Sequence, residues 1–379
     1  MTKVKFEDVA TRVNTRKDRL NTSLLYYVGG EHIESNEMLV QGCGLIKGST
    51  IGPMFYCGFK KGDILLVSRN PHLRKASMVE FDGICSEKTF VLGTKDSKVL
   101  LQEFLALVMQ SDDFWNYCEE HKSGGVNYFL NWSTLAKYEF YLPSIQEQKE
   151  IADKVWSAYR LKESYKKLLV ATDEMVKSQF IEMFENVESY CKLEDLVSDT
   201  FPGEWGSEPI SENAIKVIRT TNFTNEGYLD LTDVVTRDIE PKKVVRKKLK
   251  QGDTILERSG GTKDNPVGRV VFFDEIGDYL PNNFTQVLRP KESVNPVYLF
   301  YALYNSYNLN KAAMRAMASQ TTGIQNLSMS DFMAKFIVLP SRNEQNKFEQ
   351  IYRQADKSKF ELKQCIENID KVIKSLING

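Results

Sequence analysis

Two stretches of the chain carry apolar residues at alternating spacings of four and three, in a charged background without glycine or proline. Such a spacing is a heptad seam, which predicts a long helix that packs against another helix. The seam positions are Ile151, Val155, Ala158, Lys162, Tyr165, Leu169, Thr172, Val176 and Gln179 in the first stretch, and Phe348, Tyr352, Ala355, Lys359, Leu362, Ile366, Ile369, Ile373 and Leu376 in the second.

The segments that precede each seam have a different pattern, with short β-branched and aromatic runs between turn residues. GDILLVS (62–68), GDTILER (252–258) and VGRVVFF (267–273) predict strands, and VGGEHI (28–33) and KVIRTTNF (216–223) predict a strand or a strand edge. Two apolar stretches, 100–120 and 295–318, have the spacing of helices packed on a sheet. Each segment therefore predicts a mixed α/β domain.

Short phrases occur twice along the chain in the same order. LPSxxEQ begins at Leu142 and again at Leu339, 197 residues later. Three further pairs match: KFEDV (5–9) with KLEDL (192–196), FKKGDILL (59–66) with LKQGDTIL (249–256), and LNWSTL (130–135) with LSMSDF (327–332). Matching order with slowly changing separations indicates an internal repeat with loop insertions between equivalent elements.

The predicted fold class is α+β, with two similar mixed α/β domains separated by a pair of long antiparallel coiled-coil helices. The domains are predicted at 1–143 and 186–340, and the helical regions at 144–185 and 341–379. Each LPSxxEQ has the serine and glutamate spacing of a capping box, so it predicts the start of a helix. A helix packed only on its own domain is the alternative, but two seams in one register favour mutual packing. About 30 helical residues at ~1.5 Å each would form a spacer of ~45 Å.

Composition and charge limit the classes of function. The chain contains no apolar run of the ~20 residues that span a bilayer, and its polar start lacks a signal-peptide core, so we expect a cytoplasmic protein without membrane contact. The six cysteines and three histidines are scattered without metal-ligand spacing, so no metal site is predicted. The net charge of -1 means that any nucleic acid would bind to local patches.

Duplex DNA is a ligand that suits two similar domains on a fixed spacer, because a turn of DNA is ~34 to 36 Å long. Polar loops at strand ends supply base-reading and phosphate-binding side chains in both domains, although an ordinary exposed turn explains any single loop equally well. The basic run at 242–250 suits phosphates, with a solvated hairpin as the alternative. The candidate DNA-binding residues are Arg69, Arg74, Lys75, Lys122, Asn127 and Tyr128 in the first domain, and Arg219, Thr220, Thr221, Asn222, Arg258, Ser259, Thr262, Lys263, Asn283, Gln286, Gln320, Thr322 and Gln325 in the second.

Signatures of catalysis are incomplete. GCGLIKGST (42–50) lacks the ending of a phosphate-binding loop, and neither Asn-Pro dipeptide continues into the tetrad that holds a flipped adenine. Asp253 with Glu257 resembles a metal nuclease only in part, because the lysine of that motif is replaced. No catalytic residue is predicted, and the chain is expected to bind without catalysing a reaction.

The whole chain resembles the specificity subunit of type I restriction-modification systems. The resemblance rests on LPSIQEQKEIADKV (142–155), LPSRNEQNKF (339–348), TTGIQNLSMSDF (321–332), the two GD-led strands and the repeat itself. It implies two target recognition domains, each reading one half of a split sequence in double-stranded DNA. It also implies two modification subunits that carry S-adenosylmethionine and restriction subunits that use ATP and Mg²⁺, with no cofactor in this chain. A protein-binding scaffold with duplicated domains and a chain that itself cuts or methylates DNA are the alternatives.

Overall fold

The structure of the protein is a computed structural model that describes residues 2–210, 214–321 and 323–379, with the backbone alone for Gln320 and Thr321. The chain forms two units. The first unit comprises the chain up to Leu168 together with Glu361–Gly379, and the second comprises Leu169–Phe360. Each unit thus contains a part of both long helices. The boundaries predicted from the sequence assign the helices to regions outside the two domains, and they stay a prediction.

The first unit is built from short strands and helices that precede the first long helix. Its strands are β1 (Thr2–Lys5), β2 (Ala10–Arg12), β3 (Thr15–Arg16), β4 (Tyr26–Val28), β5 (Gly44–Leu45), β6 (Phe55–Phe59), β7 (Ile64–Val67), β8 (Ala76–Met78), β9 (Gly83–Ser86), β10 (Thr89–Thr94) and β11 (Glu139–Leu142). Its short helices are α1 (Phe6–Val9), α2 (Gln102–Val108), α3 (Asp112–Glu120) and α4 (Trp132–Leu135), and the long helix α5 (Ile145–Phe184) follows.

The second unit continues from α5 with a similar series of elements. Its strands are β12 (Tyr190–Lys192), β13 (Val197–Pro202), β14 (Ile215–Ile218), β15 (Val235–Arg237), β16 (Asp253–Glu257), β17 (Ser259–Gly260), β18 (Val270–Phe273), β19 (Tyr279–Pro281), β20 (Thr285–Pro290), β21 (Ala318–Thr321), β22 (Ile324–Leu327) and β23 (Phe336–Val338). Its helices are α6 (Leu193–Leu196), α7 (Pro241–Lys247), α8 (Pro296–Leu309), α9 (Lys311–Ala316) and α10 (Met329–Met333), and the long helix α11 (Arg342–Asn378) ends the chain.

Sheet topology confirms the repeat. A four-stranded sheet has the order β2-β10-β7-β8 in the first unit and β13-β20-β16-β18 in the second. In both units the strand before the first polar turn pairs in parallel with a later strand, β4 with β9 and β14 with β19. The GD phrase has one role in both units: Asp63 accepts the N–H of Lys60, and Asp253 accepts the N–H of Lys250, which closes the turn into the buried strand.

The strand predicted over VGGEHI was wrong, and the structure makes two other expectations more specific. The strand predicted over VGGEHI ends at Val28, because a 3-10 turn begins at Gly30. The helical stretches 100–120 and 295–318 each break into two helices, where Ser111 and Asn310 accept backbone N–H groups as N-caps. The basic run is helix α7 and not a hairpin, and a proline stands in its first turn.

The LPSxxEQ phrase joins each globular part to its long helix. Ser144 and Glu147 form the predicted capping box, as do Ser341 and Glu344. The glutamine that follows has a role that the sequence did not reveal. Gln148 is buried, donates to the carbonyls of Val99 and Pro143, and accepts the Leu101 N–H.

Gln345 is buried in the same way in the second unit. Its amide donates to the Pro340 carbonyl and its oxygen accepts the Asn295 N–H. A buried amide satisfied on both sides fixes the start of a helix against the helices of its own unit, because leaving either group unpaired would cost ~1 to 3 kcal/mol.

The two long helices pack against each other along the predicted seam within each unit. In the first unit the buried Val155 and Tyr159 share a core with Ile373 and Ile369. In the second unit Phe184 packs on Phe348 with ring centroids 5.9 Å apart. The seam positions of both helices are buried or half-buried except Leu376, whose place in the core is taken by Ile377. The predicted antiparallel coiled coil is confirmed.

The charged seam positions form the same ion pair twice, with the roles of the helices exchanged. In the first unit Lys162 of α5 lies 2.7 Å from Asp370 of α11. In the second unit Lys359 of α11 lies 2.7 Å from Asp173 of α5. Since each lysine and each aspartate stands 197 residues from its counterpart, the repeat places complementary charges on both helices.

A carboxylate from a loop completes the ion-pair network in the first unit. Glu37 accepts hydrogen bonds from Tyr159 at 2.8 Å and Lys166 at 3.0 Å, and Lys162 lies 3.5 Å away. Burial alone would raise the pKa of Glu37, but these hydrogen bonds and positive charges hold the pKa below its ordinary value. The ionised carboxylate therefore stabilises the contact between this loop and α5.

Replacing Glu37 with glutamine should lower the stability of the first unit at neutral pH and weaken its acid dependence. Because the pKa of Glu37 is lower in the folded unit than in the unfolded chain, its contribution is present above its ordinary pKa and is lost as the pH falls through the folded value. Urea unfolding from about pH 3 to pH 7, followed by tryptophan fluorescence, measures both effects. Glu34→Gln, at an exposed position, is the control. An unchanged acid dependence in Glu37→Gln would contradict the assignment.

Candidate nucleic-acid interface

The strand that follows the GD turn, β7 in the first unit and β16 in the second, ends at the polar loops predicted from the sequence. We call the residue after each strand, Ser68 or Arg258, and its backbone contacts the strand exit. In the first unit Ser68 donates its N–H to the Lys88 carbonyl and accepts the Leu130 N–H, both at 2.8 Å. In the second unit Arg258 donates to the Phe284 carbonyl and accepts the Leu327 N–H, both at 2.9 Å. Three loops that are distant in sequence thus meet at this strand exit in both units.

A polar turn beside each strand exit is closed by a side chain. The Nδ1 atom of His32 accepts the Gly29 N–H at 3.0 Å, and Oδ1 of Asn222 accepts the Arg219 N–H at 2.8 Å. The Asn222 amide also donates to the Asp230 and Asp233 carbonyls. This local bonding replaces the extended strand that the sequence pattern favoured.

A cation immediately before a strand, β8 in the first unit and β18 in the second, holds each turn. Lys75 donates to the Gly30 carbonyl at 2.7 Å, and Arg269 donates to the Thr220 carbonyl at 3.3 Å. Arg269 also binds the buried Glu257 through Nε at 2.7 Å. Burial alone would lower the pKa of Arg269, but the bond to Glu257 raises the pKa and keeps the guanidinium charged. The sequence analysis did not identify Arg269.

Gln325 organises a further loop in the second unit. Its oxygen accepts the Val267 N–H at 3.3 Å and its amide donates to the Thr262 carbonyl at 3.4 Å. Gly261 has a φ of 66°, and a Cβ there would stand 2.7 Å from the Val267 nitrogen, so the loop requires glycine. These contacts bring the predicted residues 258–263 and 325 together.

Several candidate side chains of the second unit point outward from this assembly. Thr221, Thr262, Lys263 and Asn283 are exposed. The guanidinium of the half-buried Arg258 makes no hydrogen bond or ion pair within the part of the chain that the structure describes.

Arg219 differs from Arg258 in having a carboxylate partner. Its guanidinium binds Asp233 at 2.8 Å, and its Nε is buried without a hydrogen-bond partner among the described residues. Phe284, which the sequence analysis passed over, is 41% exposed beside these polar groups.

The remaining candidates of the second unit have internal contacts. Asn222, Ser259 and Gln286 are buried, and the last two bond to Asn326 and Thr200. Thr322 and the side chain of Gln320 lie outside the described residues. A contact of any of these residues with DNA stays a prediction.

The first unit exposes fewer of its candidates. Arg69 and Asn127 are exposed, whereas Arg74 binds Asp112 at 2.7 Å and Lys75 holds the turn described above. Lys122 binds Glu119 at 2.7 Å and lies 4.3 Å from the centre of the Tyr128 ring. The Tyr128 carbonyl accepts the Asn70 N–H, so the loop of Asn127 is tied to the strand exit.

The carboxylates at the two ends of β16 are bound by arginines. Glu257 pairs with Arg269, and Asp253 pairs with Arg289 at 2.7 Å. Among residues 2–210, 214–321 and 323–379, no group of three potential metal ligands comes together. Two lysines of the basic helix α7, Lys243 and Lys247, likewise pair with Glu204.

A model of the type I restriction modification DNA specificity domain matches the chain twice, at residues 4–169 and 200–371. Together the matches cover most of the chain, and each match contains one copy of the structural repeat. The chain belongs to this family. Both family domains contain the strand exit, the polar turn and the bound loops described above.

Two solved structures have the same fold as this chain. The chain is 13% identical to the type I restriction-modification S subunit from M. genitalium, with 99% of this chain and 94% of that chain covered and a TM-score of 0.63. It is 15% identical to a chain from a study of the assembly and conformational transition of the type I R-M system, with 99% and 96% covered and a TM-score of 0.57. No curated protein sequence matches the chain. In the described residues, no helix has the length and apolarity needed to cross a membrane.

Gln325→Ala should loosen the loop between Gly261 and Val267. Loss of its two hydrogen bonds should destabilise the loop by about 1 kcal/mol and speed hydrogen exchange at the Val267 amide. The Leu327 amide, which bonds to Arg258, should exchange as before. Hydrogen exchange resolved by residue is the measurement, with Asn283→Ala as the exposed control. Unchanged exchange at Val267 would show that the loop is held by its backbone alone.

Proposed function

We propose that the chain is the DNA-reading, non-catalytic subunit of a type I restriction-modification complex, in which each unit reads one half of a split target. The observation that carries this proposal is the strand exit present in both units, where the same backbone bonds join three polar loops. Such an arrangement suits two related DNA-binding domains that recognise different sequences. The backbone contacts fix the loops in both domains, while the side chains on the loops differ between them. Direct base contacts then supply the sequence preference.

Binding without catalysis fits the electrostatics of the site. The carboxylates at the two ends of β16, Glu257 beside the strand exit and Asp253 at the opposite end, are bound by Arg269 and Arg289. A carboxylate paired in this way is a poor ligand for a catalytic cation, because the arginine already neutralises its charge. Methyl transfer and cleavage are therefore assigned to partner subunits in this proposal.

The partners in this proposal are double-stranded DNA, two modification subunits and restriction subunits, in the cytoplasm. We assign S-adenosylmethionine to the modification subunits and ATP with Mg²⁺ to the restriction subunits. The outer faces of the long helices are the proposed docking surfaces. They expose apolar side chains that the seam does not use, including Leu161 and Val372 in the first unit and Met175 and Phe360 in the second.

Arg258→Ala should weaken recognition of one half-site selectively. An arginine that binds a guanine with two hydrogen bonds contributes ~1 to 3 kcal/mol of discrimination, and the guanidinium of Arg258 has no internal hydrogen bond or ion pair within the described residues. The measurement is binding of the chain with its modification subunits to variants of a target selected from random duplex DNA. Arg69→Ala should act on the other half-site.

Arg342→Ala, which changes an exposed arginine at the start of α11, is the matched control and should leave binding unchanged. An equal loss on all sequences would make Arg258 a phosphate contact. Binding of mixed-sequence duplex that does not weaken as salt rises would instead favour a protein-binding scaffold, because counterion release accompanies phosphate contacts.

Lengthening both long helices by seven residues, after Leu168 and after Phe360, should lengthen the unspecified part of the target by ~3 base pairs. Seven residues preserve the heptad and add ~10 Å, and base pairs are ~3.4 Å apart. Mapping of methylated sites in cells with the altered complex is the measurement. The same insertion in α5 alone breaks the seam register and is the control. Altered half-sites with an unchanged gap would contradict a spacing role for the helices.

A further inference from the structure

Two cysteines face each other across neighbouring strands of the first unit. Cys57 lies on β6 and Cys85 on β9, and they are partners in the antiparallel register. Directly opposed residues in such a pair have Cα atoms ~4.5 to 5.5 Å apart and side chains on the same face of the sheet. That separation lies within the range of ~4.4 to 6.8 Å that a disulfide spans.

The surroundings give the two thiols different properties. Cys57 is half-buried and Cys85 is fully buried in the core with Val28 and Phe59. A hydrogen bond with Cys85, together with the charges of Arg12 and Arg16, lowers the pKa of Cys57 to about 7, while the pKa of Cys85 is raised. An accessible thiol with a lowered pKa beside arginines is the type that reacts with oxidants.

The cysteine pair adjoins the candidate DNA interface. β9 ends at Ser86, one residue after Cys85, and the turn that follows contains Lys88, whose carbonyl accepts both the N–H and the hydroxyl of Ser68 at the strand exit. On the other strand Tyr56 donates to Glu87 at 3.0 Å. Any change in the distance between β6 and β9 is therefore passed to the loops that meet at Ser68.

We propose that Cys57 and Cys85 are an oxidation site at which hydrogen peroxide forms a disulfide that weakens DNA recognition by the first unit. The Cys57 thiolate attacks a peroxide oxygen, giving a sulfenic acid and hydroxide, which takes up a proton to become water. The Cys85 thiol then attacks the Cys57 sulfur and displaces a second water. Two thiols and one peroxide thus become one disulfide and two waters. The disulfide draws the Cβ atoms to ~3.8 Å, which pulls β9 and its continuation toward β6.

The effect should be confined to one half of the target. Cys191, on β12, is the only cysteine in the sequence between residues 169 and 360, so the second unit has no counterpart of the pair. The formation of the disulfide can be measured without DNA, whereas its effect on binding rests on the proposed function. The two halves of the inference can therefore fail separately.

The experiment treats the chain, in complex with its modification subunits, with hydrogen peroxide and then with dithiothreitol. We expect mass spectrometry to find Cys57 and Cys85 peptides joined, with the loss of two hydrogens. Binding to the selected target should fall about tenfold, which corresponds to the recognition of about one base pair, and should recover on reduction. The Cys57→Ser variant should bind the target normally, and peroxide should not change its binding. The Cys43→Ser variant, altered at an exposed cysteine, should lose binding on peroxide treatment as the unaltered chain does.

Three results would overturn the inference. Peroxide that leaves Cys57 and Cys85 unjoined, or joins either to Cys43, removes the oxidation site. A joined pair with unchanged binding removes its effect on recognition. A loss of binding that depends on the sequence of the half-site assigned to the second unit would place the effect in the wrong unit. If the untreated complex selects no sequence at all, the proposed function fails while the mass measurement still tests the disulfide.

Discussion

The antiparallel seam between α5 and α11 is the constraint on which both units depend. Each unit takes its core partly from α5 and partly from α11, so neither core is complete without residues from both long helices. The two ion pairs, Lys162 with Asp370 and Lys359 with Asp173, carry the polar part of this seam. Shifting one helix by a turn would separate the buried Lys162 from Asp370 and the half-buried Lys359 from Asp173, so the pairs favour one register of the helices.

The LPSxxEQ phrase fixes the first turn of each long helix against the globular part of its unit. Its serine and glutamate start the helix, and its buried glutamine bonds to the backbone beside the neighbouring helix, at Leu101 in one unit and Asn295 in the other. A helix held at its first turn and along its seam has little freedom to rotate. The loops at the strand exits are thereby fixed relative to the long helix that starts at the LPSxxEQ phrase of their own unit.

The sequence predicted the repeated architecture because repetition and heptad spacing are properties of the chain itself. It could not distinguish His32 or Asn222 as the closing side chains of turns, because such residues fit a strand edge and a turn equally well. It also passed over Arg269, whose partners Glu257 and Thr220 are distant in sequence. Candidate residues such as Gln286 looked similar to Asn283 in sequence, and only their burial separates them.

The comparison of the two strand exits separates what the repeat keeps from what it changes. The backbone bonds of Ser68 recur at Arg258 with nearly the same lengths, yet a serine whose hydroxyl is used internally stands where an arginine reaches outward. The cation that holds the polar turn is Lys75 in the first unit and Arg269 in the second, where the arginine also binds Glu257. A framework fixed by backbone bonds tolerates such exchanges, since the polar groups of the main chain remain satisfied whichever side chain is present. Two units can therefore share one fold and still present different chemistry to their two ligand sites.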